Sequence, residues 1–246
     1  MGGFKERGMQ GRPKWQWDEV RQAGTDYADA REAENYDARH AKFRDIDAAN
    51  GDIIARLGLT GADTVLDMGA GTGFFALGAA KHVKKVYAVD VSAAMLDVAR
   101  RKAKEQGAGN IEFHQAGFLT YEHKGAAVDA AVSVAALHHL PDFWKLVGLM
   151  NVASILKDGG RMYLMDVVYS FDPARHAEVF DEEIETSARK VDEEFARQGE
   201  GHYGREFSTL DWIMEGLLRE AGFAIDDAEY RDGFFASYVC TKKPKA

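Results

Sequence analysis

The chain has 246 residues, of which 46% are hydrophobic, so it can bury one sizeable core but is too short for two full domains. Its formal net charge of -9 disfavours phosphate backbones and anionic lipid, and we expect neither nucleic acid nor membrane as a partner. The single cysteine, Cys240, excludes an internal disulfide framework and a cysteine-based zinc site; no metal is expected, and the lack of a signal-like segment or an apolar run of ~20 residues predicts a cytoplasmic protein.

The N-terminal part of the chain is predicted to be a helical cap that precedes the main domain. Residues 1–14 are polar and Gly-rich, and we expect them to be disordered. Over residues 15–57 the apolar positions follow a helical spacing, with Tyr36 on the apolar stripe. A break in this helical region is expected at Asn50-Gly51.

Residues 58–246 are predicted to form one α/β domain. From Thr64 onward, short apolar runs alternate with helical stretches, which is typical of a parallel sheet with crossover helices on both faces. The predicted strands are VLDMGAG, VYAVD, IEFHQAG, AAVSVAA and RMYLMDVV, and the predicted helices cover about 74–82, 93–106 and 142–156.

Two helical elements interrupt this alternation. A long amphipathic helix is predicted from Pro173 to Arg197, and residues 172–207 are interpreted as a helical lid inserted into the domain. Ser208 is the expected N-cap of a second helix that ends near Gly222.

The chain is predicted to close with an antiparallel hairpin. Its two strands are expected around residues 223–230 and 234–241. Asp232 and Gly233 lie between them, and this residue pair favours a tight turn.

The sharpest local motif is the run DMGAGTG at residues 67–73, directly after an apolar strand and before a helical stretch. Glycines there let the backbone turn tightly and let a ligand approach, while the next helix offers free N–H groups. Asp90 closes the following strand, where a carboxylate can accept both hydroxyls of a ribose at the switch point of the sheet. The pattern therefore predicts a ligand that contains a ribose.

Two residues distinguish a dinucleotide from another ribose-containing ligand. The dinucleotide fingerprint is G-x-G-x-x-G, whereas this run is G-x-G-x-G and places Phe74 where a small residue is expected. Asp67 would lie poorly beside a pyrophosphate but well beside an ammonium group, such as that of a methionine moiety. The pattern favours a methyltransferase over an NAD-dependent oxidoreductase.

Several motifs, taken in order, resemble those of the class I S-adenosylmethionine-dependent methyltransferases, in their small-molecule branch. The motifs are VLDMGAGTG, VYAVDVSAAML, NIEFHQAGF, VDAAVSVAALHHLPD and ILKDGGRMYLMD. The resemblance is close over about residues 53–157 and looser in the hairpin. It implies a Rossmann-like sheet of seven strands, mostly parallel, whose last strand is antiparallel. It also implies S-adenosylmethionine as cofactor and S-adenosylhomocysteine as product.

The same resemblance implies a set of cofactor-binding residues. Gly69, Gly71 and Gly73 are implied to line the methionine part. Asp90 is implied to hold the ribose, and Val91 and Met95 to pack on the adenine. The backbone of Val134 would face the amino-acid end, and Asp67 would lie near the ammonium group. Family members often carry an acid after the third strand that accepts from the adenine amino group. This chain has Gly117 and Phe118 there, and Phe118 can still pack on the ring.

Histidines supply the candidates for proton transfer. His138 and His139 follow the fourth strand, on the loop that borders the methyl position, and His138 is the candidate general base. His139 is the candidate contact to the acceptor. The alternative is that these two histidines only cap or pack the loop. Asp166 ends the fifth strand on the ligand side, with a structural hydrogen bond as its alternative role.

Four further side chains are candidates around the cofactor and the acceptor. Tyr27 and Tyr36 lie in the N-terminal cap, where Tyr36 either reaches the cofactor or packs as core. Tyr203 and Arg205 lie in a Gly-flanked stretch at the edge of the predicted lid. Arg205 either binds a substrate carboxylate with two hydrogen bonds or forms a surface ion pair.

The predicted reaction is an in-line displacement that needs the acceptor held close to the methyl group, so placement supplies most of the catalysis. Enclosure by the cap and the lid favours a small-molecule acceptor with an O, N, S or C nucleophile. The alternatives are an RNA or protein methyltransferase and a non-catalytic module that only binds S-adenosylmethionine.

Overall fold

The computed structural model describes residues 13–21, 29–40 and 45–244, so most of the segment expected to be disordered, 1–14, lies outside it. The α-helices of the described residues are α1 (Ala30–His40), α2 (Ile46–Leu57), α3 (Phe74–Ala79), α4 (Ala93–Gln106), α5 (Asp142–Ile155), α6 (His176–Lys190), α7 (Glu193–Arg205) and α8 (Asp211–Glu220). The strands are β1 (Thr64–Met68), β2 (Lys85–Asp90), β3 (Ile111–Gln115), β4 (Val128–Val134), β5 (Leu156–Tyr169), β6 (Thr209–Leu210), β7 (Phe223–Arg231) and β8 (Phe235–Lys242). None of these helices is long and apolar enough to cross a lipid bilayer.

The strands form one mixed sheet in the order β3-β2-β1-β4-β5-β8-β7, and the short β6 pairs with β5 off this path. Strands β1 to β5 are parallel, whereas β8 runs antiparallel between β5 and β7. This confirms the predicted Rossmann-like fold with a C-terminal antiparallel hairpin. Because the strand order reverses between β1 and β4, a crevice forms at the carboxyl ends of these strands.

Helices cover both faces of the sheet, which explains why its central strands are apolar along their whole length. In β1, Val65, Leu66 and Met68 are all at most 2% exposed. Val65 packs with α2 and α3 on one face, whereas Leu66 and Met68 pack with α5 and α8 on the other.

The helix break expected at Asn50-Gly51 is wrong, because α2 runs through both residues. Asp45 begins the helix, and its side chain accepts from the Ala48 N–H at 3.1 Å. The Asn50 amide donates to the Phe74 carbonyl at 2.8 Å, which fixes this turn of the helix on the next element. A helical glycine costs only about 1 kcal/mol, and the packing of the buried face of α2 outweighs that cost.

The single long helix predicted from Pro173 to Arg197 is also wrong, because the structure has two helices there. Asp192 adopts an extended backbone and caps α7 by accepting from the Phe195 N–H at 2.9 Å. The turn folds α7 back onto α6, so that Phe180 and Tyr203 meet with ring centroids 4.9 Å apart. Tertiary packing and a capping acid therefore interrupt a stripe that reads as continuous in the sequence.

The C-terminal region follows the prediction except at its first helix. Ser208 does not cap that helix, because β6 pairs with the end of β5 and α8 begins only at Asp211. The hairpin of β7 and β8 is confirmed. Asp232 and Gly233 both have positive φ, 55° and 76°, as its tight turn requires.

Candidate active site

Two adjoining cavities open at the carboxyl ends of the central strands. The first encloses about 710 Å³ with its mouth and lies between the glycine turn, the ends of β2 and β3 and the loop after β4. The second encloses about 1360 Å³ with its mouth and lies between α2, the glycine turn and strands β5, β7 and β8. Tyr36, Gly69, Gly71 and Val134 line both cavities, so the two meet at the glycine turn.

The glycine turn after β1 forms a wall made largely of backbone. Gly69 and Gly71 both have positive φ, which side chains disfavour. A Cβ on Gly69 would lie closer than 3.0 Å to the Ala136 side chain, so glycine also lets the loop after β4 approach. A Cβ on Gly71 would meet nothing within 4 Å and would project into open space. Gly73, the third predicted glycine, is the N-cap residue of α3 and lies behind the cavity walls.

Asp90 occupies the predicted position at the end of β2 and lines the first cavity. Its two carboxylate oxygens accept from the Gly71 N–H at 2.7 Å and the Ser92 N–H at 2.8 Å. Burial raises the pKa of Asp90, although these two backbone hydrogen bonds act in the opposite direction. The carboxylate is thus held rigidly at the cavity, with lone pairs left for hydroxyl donors.

Asp67 is a second acid at the carboxyl ends of the central strands. It is buried and lines the second cavity. Burial and repulsion by Asp90 raise the pKa of Asp67 to about 7. Among the described residues its Oδ2 atom has no hydrogen-bond partner. A buried oxygen of this kind costs free energy unless a donor reaches it, so a cationic ligand group fits this position.

Apolar side chains form the other end of the first cavity. Val91 and Met95 follow β2, and Gly117 and Phe118 follow β3, and all four lie in the cavity wall; that they contact adenine stays a prediction. The wall also contains Glu19, a buried acid from the N-terminal segment that the sequence analysis did not select.

The loop after β4 is held in a strained conformation against the glycine turn. Ala135 has a positive φ of 52°, which is uncommon for a residue other than glycine. Asp166, at the end of β5, stabilises the next turn by accepting from the Leu137 N–H at 2.8 Å and the His138 N–H at 3.2 Å. Asp166 therefore makes the structural hydrogen bonds that were its alternative role, and Val134 lines both cavities.

Beside the first cavity lies a largely buried group of five side chains, which we call the histidine–carboxylate cluster: His138, His139, Asp166, His202 and Glu206. The His138 ring bridges two acids, with Nδ1 2.5 Å from Asp166 Oδ1 and Nε2 3.1 Å from Glu206 Oε2. His202 Nδ1 lies 2.5 Å from the same Glu206 oxygen. The cluster joins the loop after β4, the end of β5 and the end of α7.

The two neighbouring histidines have opposite electrostatic surroundings. Burial alone would lower the pKa of His138, but the carboxylates of Asp166 and Glu206 raise it to about 9. Burial and repulsion by His138 lower the pKa of His139 to about 3. His139 lines the first cavity, whereas His138 lies behind it with both ring nitrogens on carboxylates. This geometry favours a positioning role for His138 over its predicted role as general base.

The remaining predicted side chains divide between the site and the surface. Tyr27 lies outside the described residues. Tyr36 of α1 lines both cavities. Tyr203 packs among aromatic rings of the α6–α7 hairpin, with Phe234 5.5 Å away, and Arg205 is exposed at the end of α7. Neither of these two residues lines the cavities described above.

Sequence reasoning missed the contacts that bring distant elements to the site. Asp37 of α1 accepts from the Thr72 hydroxyl of the glycine turn and from Lys102 Nζ of α4, both at 2.6 Å. Glu19 and Glu206 reach the site from positions far away in the chain. A single acid on a helix or in a turn carries no pattern that distinguishes it from a solvated one.

The parallel sheet has a glycine turn after β1, an acid, Asp90, at the end of β2 and a crevice where the strand order reverses. These features define a Rossmann-like nucleotide-binding fold. Residues 65–160 match the family model described as a methyltransferase domain. The chain belongs to the class I S-adenosylmethionine-dependent methyltransferases, and its cofactor is S-adenosylmethionine.

Relatives of known name extend over most of the chain. An uncharacterised methyltransferase of Geobacillus kaustophilus is 28% identical over 199 residues, covering 81% of this chain and 85% of that protein. The demethylmenaquinone methyltransferase of Lactococcus lactis is 28% identical over 225 residues, covering 86% and 88%. The crystal structure of magnesium protoporphyrin IX methyltransferase from Synechocystis with bound S-adenosylmethionine has a TM-score of 0.55 at 17% identity, covering 87% of this chain and 84% of that one.

Proposed function

We propose that this methyltransferase transfers its methyl group to a small-molecule acceptor bound in the second cavity. The observation that carries the proposal is the shared wall at Gly69 and Gly71, because a donor in the first cavity and an acceptor in the second would be neighbours there. The second cavity has room for a small organic ligand and has both apolar and charged walls, including Met165 and Arg56. Two relatives support this class of acceptor, since their names refer to a demethylmenaquinone and to magnesium protoporphyrin IX.

In this proposal the adenosine part of the cofactor occupies the first cavity and its methionine part the junction of the two. Val91, Met95, Gly117 and Phe118 are assigned to the adenine, and Asp90 is assigned to the ribose. Gly69, Gly71 and Val134 are assigned to the methionine backbone, and Asp67 to its ammonium group. The main support is chemical: Asp90 offers a rigidly held carboxylate to a ribose, and Asp67 offers to an ammonium group a buried oxygen that has no donor among the described residues.

Bound S-adenosylmethionine supplies an electrophilic methyl group that an acceptor removes by in-line displacement. A general base works best with a pKa near the working pH. The pKa of His138 is raised to about 9 and that of His139 is lowered to about 3, so neither ring meets this condition. The proposed catalysis therefore rests on holding the acceptor in place and excluding water, which suits an acceptor that needs no strong base.

The cap (residues 15–57) and the lid (residues 172–207) are proposed to enclose the site, the cap at the second cavity through α1 and α2 and the lid at the loop after β4. The lid is joined to the site because the Phe207 N–H donates to the His138 carbonyl at 2.9 Å and Glu206 contacts the His138 ring. Amide hydrogen exchange tests this arrangement. Exchange in α1 and α7 should slow when S-adenosylhomocysteine is added, and unchanged exchange in both helices would argue against a lid.

Transfer of a labelled methyl group tests the acceptor class. The enzyme is incubated with methyl-labelled S-adenosylmethionine and a cell extract separated into small molecules, RNA and protein. We expect label in the small-molecule fraction, and an Asp90→Ala enzyme, whose cofactor binding should be strongly weakened, serves as the matched control. Label that appears in RNA or protein and is absent from small molecules would replace the proposal by its alternative.

A further inference from the structure

The first cavity contains a buried carboxylate that arrives from the N-terminal segment, residues 13–21. Glu19 is only 6% exposed and lies in the wall beside Gly117. Its Oε2 accepts from the Leu119 N–H at 3.0 Å, and its Oε1 accepts from the Thr120 hydroxyl at 2.6 Å. A residue about a hundred positions earlier thus completes the loop after β3.

The fit between Glu19 and this loop depends on the glycine at position 117. A Cβ built on Gly117 would lie closer than 3.0 Å to the Glu19 carboxylate and to the Val91 side chain. The carboxylate therefore fills the space that a side chain at position 117 would occupy. Position 117 follows the third strand, where related proteins often carry an acid and this chain has glycine.

Aromatic contacts hold the segment that carries Glu19. The Trp17 ring meets Phe207 edge to face, with centroids 5.3 Å apart, and packs against the main core. Trp15 stacks on Trp144 of α5 at 6.5 Å and 15°. The carboxylate is consequently presented by a docked segment rather than by a free tail.

We infer that Glu19 determines the base specificity of the cofactor site, by accepting a hydrogen bond from the exocyclic amino group of adenine. The inference depends on the proposed placement of the adenosine part in the first cavity. An ionised carboxylate has about four lone-pair sites, so it can accept from the base while it holds Leu119 and Thr120. A purine with a carbonyl at that position would place an acceptor against the carboxylate and bind less well.

The test compares binding of S-adenosylhomocysteine with that of S-inosylhomocysteine, which has a carbonyl in place of the amino group. Calorimetry on the full chain should show the wild type preferring the adenosyl compound by about 10-fold or more, since a hydrogen bond to a charged group is worth ~1.5–3 kcal/mol. In Glu19→Ala this preference should fall to within about threefold of unity. In Glu19→Gln, whose amide can donate to the carbonyl, it should fall or reverse.

A further variant separates direct contact from other effects. Asp18→Asn removes the charge of the neighbouring carboxylate, which accepts from the Val20 N–H. Its preference for the adenosyl compound should equal that of the wild type. The ratio of two affinities does not depend on how much of each variant is folded.

An unchanged preference in Glu19→Ala overturns the inference. Tighter binding of S-adenosylhomocysteine by this variant also overturns it, because that result means that the N-terminal segment obstructs the cavity. A wild type that binds neither compound would instead refute the proposed function. The two failures are therefore distinguishable.

Discussion

The edge of the sheet that carries Asp67, Gly71 and Asp90, which we call the cofactor edge, lies beside the histidine–carboxylate cluster. The two regions draw their residues from different parts of the fold. The cofactor edge takes Asp67, Gly71 and Asp90 from the ends of two consecutive strands and uses mainly backbone geometry. The cluster joins residues of the loop after β4, of β5 and of α7, and at its centre the buried His138 ring lies between the carboxylates of Asp166 and Glu206. Under the proposed function, we expect the first region to control affinity for the cofactor and the second to control the stability of the loop after β4 and of the lid.

The largest effect is expected when the cofactor edge is broken at Asp90. Asp90→Ala should weaken binding of S-adenosylhomocysteine by about 10³-fold, because two charge-assisted hydrogen bonds worth ~1.5–3 kcal/mol each are lost. Titration calorimetry measures the change. Asp97→Ala removes the same charge from a carboxylate that is 75% exposed on α4 and should bind normally. Equal affinities for the two variants would contradict the role of Asp90.

Removing Glu206, one of the two acids of the cluster, should affect stability instead. Glu206→Ala leaves the His138 charge buried beside Asp166 alone, and breaking a buried pair in this way costs about 3 kcal/mol of unfolding free energy. Urea unfolding gives the loss, and affinity of the folded protein for S-adenosylhomocysteine should change less than about threefold. The adjacent exposed Arg205→Ala is the matched control, with an expected change below about 0.5 kcal/mol.

The cluster should also make stability depend on pH in the alkaline range. The pKa of His138 is raised to about 9 from an ordinary 6.5, so its stabilisation is complete below pH 6.5 and is lost as the pH rises through 9. The unfolding free energy should fall by roughly 2–3 kcal/mol over this range. In His138→Gln this part of the slope should disappear. A wild-type profile that is flat between pH 6.5 and 9 would show that the ring is not charged in the folded protein.

The same His138→Gln enzyme tests whether the ring is a base. Turnover of a general-base variant should fall by roughly 10²–10⁴-fold while cofactor affinity is unchanged. We expect a loss of stability with a much smaller change in turnover of the folded enzyme. A large, selective loss of turnover would restore His138 to a direct role.

The smallest expected effect is the response of the cofactor edge to acid. The pKa of Asp67 is raised to about 7, and its ionised form is the one that pairs with an ammonium group. Affinity for S-adenosylmethionine should therefore fall as the pH drops below 7, by up to about tenfold per pH unit. Asp67→Asn should bind more weakly at pH 7.5 and lose most of this dependence. Parallel profiles for the two proteins would exclude Asp67 as the titrating group.

Much of the fold was predictable because its signals are local. Apolar runs of strand length, a glycine turn and a helix with a serine cap at Ser92 depend on neighbours within a few residues. The break wrongly placed at Asn50-Gly51 and the missed turn at Asp192 depend instead on what the helices pack against. A backbone carbonyl of α3 or a folded-back partner helix leaves no periodic signal in the segment itself.

The sequence by itself determined the alternation of strands and helices from β1 to β5, the glycine turn and the acid at the end of β2, since backbone geometry places these groups wherever such a sheet forms. Only the tertiary structure decided which distant side chains complete the site. Glu19 and Glu206 are each one acid among many in the sequence, and they become distinctive only because packing buries them beside Gly117 and His138. Burial converts an ordinary charge into a specific one, because a charge removed from water must find its partners in the fold.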